Sequence, residues 1–153
     1  VKGDLVMRAM ILKTIGPVRE GSAPLESAEW PDPTPGPGEI LIRVNACGVC
    51  HTELDEIEGR MPPPRLPVIL GHQVVGRVET LGAGAVAFRT GDRVGVAWIN
   101  SACGDCEFCR RGEENLCEHF QATGRDAHGG YAELMIVPAN FAHAIPETLT
   151  DTE

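Results

Sequence analysis

Four cysteines within fifteen residues constrain this chain more than any other feature. Cys103, Cys106, Cys109 and Cys117 stand in CGDCEFCRRGEENLC, spaced C-x2-C-x2-C-x7-C. Four soft thiolates so close along the backbone can close a tetrahedral shell around one Zn²⁺. Such a shell leaves no open position, so the ion holds structure and does no chemistry. The competing reading is a cluster of disulfides, but two-residue gaps suit a shared ion better than pairwise bridges. Residues about 98–120 are therefore expected as a metal-braced lobe.

The remaining chain reads as one ordinary globular domain. Its 153 residues suffice for a core, and 42% hydrophobic with 23% charged residues is not the balance of a disordered chain. No apolar run approaches membrane-spanning length. The opening VKGDLVMRAMILK lacks the apolar stretch and cleavage site of a secretion signal, and no Asn-x-Ser/Thr acceptor occurs. Six cysteines in such a chain read as reduced thiols in a cytosolic, cytoplasmic protein. Residues 1–7 are set apart as an N-terminal extension, with Met7 a candidate natural start. A net charge of −9, with 13 basic residues scattered among 22 acidic ones, argues against nucleic acid and for a solvated surface.

With 18 Gly and 12 Pro, the pattern is short strands between turns, a mainly β, barrel-like domain with few helices. Ile40, Ile42 and Val44 alternate with Leu41, Arg43 and Asn45 in one strand; others are expected over 73–80, 93–98 and 131–137. One short helix is expected over 52–58, with Thr52 as N-cap, Glu53, Asp55 and Glu56 favoured by its positive end, and Gly59 as its stop. Leu54 and Ile57 would form its apolar face.

A second constellation is weaker. Cys50 in CGVCHTEL and His72 in LGHQVVG sit at opposite ends of expected strands, so both can point into one cleft just ahead of a helix N-terminus. Thiolate plus imidazole is a partial zinc shell; catalysis needs a third protein ligand and an open position. On the residues alone, a buried free cysteine and a satisfied histidine is the commoner explanation. Cys47, three residues earlier, reads as an inward-packing strand end. His119, His128 and His143 read as surface or loop histidines.

The motifs GVCHTEL, GHQVVGRVETLGAG, GDRVGV, CGDCEFCRRGEENLC and GGYAEL occur in one order. In that order the chain resembles the zinc-dependent medium-chain alcohol dehydrogenases, over their N-terminal GroES-like catalytic domain, here residues 8–153. The resemblance implies a GroES-like barrel with short helices and a structural zinc lobe. It implies Cys50 and His72 as two ligands of a catalytic zinc, and Thr52 as the hydroxyl that passes the alcohol proton onward. His51 matches a base beside the cofactor pyrophosphate, and Glu53 an acid that hydrogen-bonds the ligating His72. Trp98 and Met61 match walls of the substrate pocket. The activity implied is NAD- or NADP-linked interconversion of a small primary or secondary alcohol with its aldehyde or ketone, in an enzyme that is a homo-oligomer when intact. The alternative is a non-catalytic zinc-binding module that keeps the fold without turnover.

Three departures qualify the resemblance. Gln73 stands where the family has Glu beside the ligating histidine, which removes a negative charge near the metal. Asp55 stands where several members end the proton relay with histidine, and its low reference pKa makes it a weak base. The chain also reaches Glu153 before the expected third catalytic ligand and Rossmann domain, so it reads as a C-terminally truncated catalytic domain, inactive alone. Gly82, Gly84 and Ala87 imitate a dinucleotide fingerprint, but no helical run follows them, and they read as a turn between strands.

Overall fold

The computed structural model of the chain describes residues 5–152. Ten strands and two short α-helices follow in order: β1 (Val6–Leu12), β2 (Leu25–Pro31), β3 (Glu39–Cys47), α1 (His51–Glu58), β4 (Val68–Ile69), β5 (Val74–Leu81), β6 (Arg93–Val96), β7 (Ile99–Ser101), α2 (Glu107–Arg110), β8 (Gln121–Ala122), β9 (Leu134–Pro138) and β10 (Ala142–Ala144). They form a five-stranded sheet ordered β10-β6-β5-β3-β9, a three-stranded sheet β2-β1-β4, and the pair β7-β8. Among the described residues every strand pairing is antiparallel. The first strand starts at Val6 and buries Met7, inside the segment set apart as an extension; residues 1–4 lie outside the described residues. No described helix is long and apolar enough to cross a membrane.

The alternation in β3 explains the architecture. Ile40 and Ile42 point into one apolar cluster with Val78, Val94, Met135 and Val137. Leu41, on the opposite face, enters a second cluster with Met7, Ala9, Ile11 and Ile69. Each fully buried isoleucine contributes about 1.5–3 kcal/mol relative to exposure, so a strand with apolar residues on both faces is drawn to the centre. On its other side β3 pairs with β5, in the register Ile42↔Val78, Val44↔Gly76 and Cys47↔Val74. A Cβ on Gly76 would lie 2.3 Å from the Arg43 carbonyl oxygen, so this close approach of two backbones requires glycine. The strands expected at 73–80 and 131–137 begin slightly later, at Val74 and Leu134; that expected over 93–98 ends early, at Val96. The glycine-rich segment after β5 is a turn: Ala85 N–H closes on Gly82 O at 3.1 Å, with no helix before β6.

Candidate active site and metal centres

In the lobe the chain gathers its four cysteines around one point. Cys103, Cys106, Cys109 and Cys117 bring their Sγ atoms within 4.8 Å of one another. Cys103 Sγ lies 3.6 Å from Cys117 Sγ and 3.9 Å from Cys109 Sγ. Those separations match the edges of a tetrahedron built on about 2.3 Å Zn–S bonds, about 3.8 Å, and not a bonded pair of sulfurs. Backbone N–H groups point at the sulfurs: Cys106 N donates to Cys103 Sγ at 3.4 Å, Cys109 N to Cys106 Sγ at 3.5 Å, and both Cys103 N and His119 N to Cys117 Sγ. Such donors suit thiolates. Burial and the neighbouring thiols push Cys109 up to about 12, so four charges this close need a cation among them. The donor set fits a zinc ion.

The second site is assembled by the β3–β5 pairing. Beyond Cys47↔Val74 the ladder continues in one more bond, Gly48 N donating to Gln73 O at 2.8 Å. That bond holds the loop carrying Cys50 against the segment carrying His72. Tyr131 Oη donates to Gly48 O at 3.3 Å from the other side. Cys50 and His72 thus stand just past the strand ends rather than on them, and the strand pairing brings them together.

Helix α1 begins one residue earlier than expected, at His51, and its N-cap is Cys50, not Thr52. The reason is Glu53, whose Oε2 accepts from the Cys50 N–H at 2.7 Å, as a residue at the third helical position does in a capping box. Gly59 ends the helix with φ 80°, the left-handed value glycine adopts without strain. The buried face of α1 is Glu53, Glu56 and Ile57, with Leu54 only half-buried. Glu56, expected as a charge favoured by the helix's positive end, is fully buried and neither carboxyl oxygen has a hydrogen-bond partner. Burial, then the neighbouring Glu53, pushes it up to about 8.

Glu53 turns to His72. Its Oε1 lies 2.8 Å from His72 Nδ1, with both side chains almost wholly buried. Burial alone would raise Glu53, but His72 and the Cys50 N–H outweigh it and hold the carboxyl below its usual range. Glu53 in turn raises the His72 imidazole. With Nδ1 turned to Glu53, Nε2 is the remaining ring donor. Cys50 Sγ lies 3.6 Å from Thr52 Oγ1. The Thr52 N–H first, then its hydroxyl and His72, lower the Cys50 thiol. A thiol and an imidazole oriented by a carboxylate suit two positions of a zinc shell. Among the described residues no third His, Cys, Asp or Glu joins them.

His72 opens on a cleft of about 730 Å³ lined also by Cys47, Gly48, Gln73 and Trp98, with His143, Ile145, Asp151 and Thr152 completing it. Trp98 meets the His72 ring edge-on at 4.9 Å and Phe120 at 6.2 Å. Phe120 carried no sequence signal beyond being an aromatic residue at the lobe's exit. Cys50, Thr52, Glu53 and Met61 are not part of this lining; Met61 lies on the surface after α1, its N–H on Asp55 O. His51 is exposed, its Nε2 3.7 Å from Asp55 Oδ1, and Asp55 also pairs with Arg60. Cys47 is half-buried, and burial pushes its thiol up to about 11. Of the three remaining histidines, His119 is exposed, whereas His143 lies on β10 and lines the cleft. His128 is a half-buried loop residue: its Nδ1 accepts from Ile69 N at 3.2 Å and its ring meets Trp30 edge-on.

Residues 36–147 match the family described as alcohol dehydrogenase GroES-like domain. AdhA of Mycobacterium tuberculosis, named as a probable alcohol dehydrogenase, is 49% identical over 152 residues, covering 96% of this chain and 43% of that protein. A solved NAD-dependent alcohol dehydrogenase superposes with TM-score 0.85 at 36% identity, covering 95% of this chain and 41% of that one. A cobalt- and zinc-bound thermostable alcohol dehydrogenase from Pyrobaculum aerophilum gives 0.82 at 36% identity, covering 92% and 41%. The chain spans less than half the length of these relatives. It belongs to the zinc-dependent medium-chain alcohol dehydrogenase family, over the GroES-like domain.

Proposed function

We propose that this chain is the catalytic-domain portion of a zinc-dependent alcohol dehydrogenase that interconverts a primary or secondary alcohol with its aldehyde or ketone, using NAD or NADP. The carrying observation is the buried Glu53–His72 contact beside Cys50 and Thr52, opening on a cleft walled by Trp98. A zinc module kept for its fold alone needs the four-cysteine lobe and has no use for this second arrangement. The names of the relatives, which include an NAD-dependent enzyme and a cobalt- and zinc-bound one, support the same reading.

Cys50 and His72 would hold the catalytic zinc, which when bound supplies Lewis acidity that lowers the pKa of the alcohol. Glu53 keeps the His72 proton at Nδ1 and makes Nε2 the more basic donor. The Thr52 hydroxyl, beside the Cys50 sulfur, carries the alcohol proton out of the cleft. Exposed His51 stands where a cofactor pyrophosphate would come, and with Asp55 it forms the outer end of the proton route. Gln73 leaves the cleft without the carboxylate usual beside the histidine. Trp98 excludes water and favours a small alcohol; a nicotinamide, when bound, would supply the hydride acceptor. The enzyme is read as cytosolic and homo-oligomeric, with the lobe cysteines holding a structural zinc.

The test joins this chain to a dinucleotide-binding domain and follows alcohol-dependent reduction of NAD⁺ and NADP⁺. Thr52→Val should lower turnover by about 100-fold or more, the usual worth of a placed proton carrier. Cys50→Ser should release the second zinc equivalent while the lobe keeps its own. Turnover indifferent to both substitutions would sink the reading.

A further inference from the structure

One wall of the cleft is tied to the sheet by a buried guanidinium. Arg93 opens β6 and is only 6% exposed. Burying an arginine is costly unless its N–H groups find acceptors. Nε and Nη1 find theirs in one short stretch of chain, while Nη2 has no hydrogen-bond partner. Arg93 Nε donates to Asp151 Oδ1 at 2.8 Å, and Nη1 donates to the carbonyl oxygens of Pro146 and Leu149 at 2.9 and 2.6 Å. The other Asp151 oxygen accepts from Asn45 Nδ2 at 2.7 Å, so β6 and β3 grip one carboxylate together. The Ile145 N–H returns to Arg93 O at 3.1 Å.

Elsewhere the stretch lies at the surface, where Glu147 comes within 4.0 Å of Arg77. Residues 146–150 are exposed, and Leu149 leaves 45% of its surface in solvent. Apolar burial is the usual reason a segment stays put, and here charged hydrogen bonds take its place. Yet Ile145, Asp151 and Thr152 line the cleft that His72 and Trp98 enter.

We infer that Arg93 is a positioning residue of the cleft: through Asp151 and the Pro146 and Leu149 carbonyls it fixes the wall 145–152 against the sheet that presents His72 and Trp98. Its importance to catalysis rests on the cleft being the active site, but the clamp does not. Asp151 brings no free charge to the cleft, because both its oxygens are engaged.

Two readouts independent of turnover test this. Amide hydrogen exchange by NMR follows Ile145 and Leu149, and acrylamide quenching of Trp98 fluorescence, in a Trp30→Phe background, follows the cleft. Arg93→Gln should speed exchange at both amides by about tenfold or more while β1 and β3 are unchanged, and should raise quenching of Trp98. Asp151→Asn, which leaves Arg93 on its two carbonyls, should show the same changes to a smaller degree. Unchanged exchange at Leu149, or acceleration spread evenly through β1 and β3, would overturn the clamp. If Arg93→Gln does not fold, Asp151→Asn decides alone, and unaltered exchange and quenching there overturn it. A dehydrogenase whose wall is indifferent to both substitutions sinks only the clamp; a clamped chain that proves inactive when joined to its cofactor domain sinks only the functional reading.

Discussion

The cysteine lobe and the histidine cleft gather their ligating side chains by opposite means. The lobe draws four sulfurs from fifteen consecutive residues and orients them with backbone N–H groups of the same segment. The second site draws Cys50 and His72 from separate segments, joined where the β3–β5 ladder runs on into Gly48 and Gln73. One site is local and depends on an ion to hold its shape. The other is non-local and depends on the sheet. They meet around Trp98: the buried Thr123, just past β8, donates its N–H to Trp98 O at 2.9 Å and its hydroxyl to Ala97 O at 2.8 Å, so the lobe's return strand steadies the cleft's tryptophan.

Cys109→Ser should break the comparison most severely. The metal site that holds the lobe loses a buried ligand, and metal binding there is itself folding free energy. Zinc content should fall by one equivalent, and amide signals of 99–122 should collapse while those of β3 and β5 persist. Collapse of the whole spectrum would show that lobe and barrel are one cooperative unit.

Glu56→Gln probes the cleft side. In the folded chain Glu56 stays protonated up to about 8, against 4.5 for an ordinary glutamate. Between those values the folded chain holds a proton that the unfolded chain has released. The contribution is therefore fully present below pH about 4.5 and lost as pH rises through about 8, at up to about 1.4 kcal/mol per unit. Urea unfolding at pH 5, 6.5 and 8 should show this decline in the parent and a flatter profile in Glu56→Gln. Parallel profiles would refute it.

Glu53→Gln should weaken binding of the second metal equivalent by roughly 10–100-fold, the usual cost of losing a group that orients a ligating histidine. Co²⁺ titration followed by thiolate-to-cobalt absorption reads both sites, and the lobe's affinity should not move. Met61→Ala should do least, changing stability by no more than about 0.5 kcal/mol, because Met61 lies at the surface outside the cleft. Trp98→Ala is the contrasting substitution: it should enlarge the cleft and loosen His72.

Legibility in the sequence followed the same division. The lobe was readable because its ligands share one stretch and thiolate spacing is a strong signal. The β3 strand was readable from its alternation. Cys50 and His72 drew notice only through the motifs around them. Helix α1 was found, yet its cap was misplaced, because a cysteine is a poor sequence cue and the bond that matters comes from Glu53. Glu56 read only as a charge suited to the helix's positive end, since nothing in HTELDEIE says that its turn faces the core. Arg93 and Asp151 gave no cue at all, being separated by 58 residues.

By itself, then, the sequence determined the strand-rich character of the chain, the metal lobe and the residue types available for chemistry, because these depend on composition and short spacing. Tertiary structure decided which of those residues meet. It turned Glu53 onto His72, buried Glu56, kept Met61 out of the cleft and clamped its wall with Arg93. These outcomes depend on sheet register and burial, which arise only when segments distant in sequence pack together.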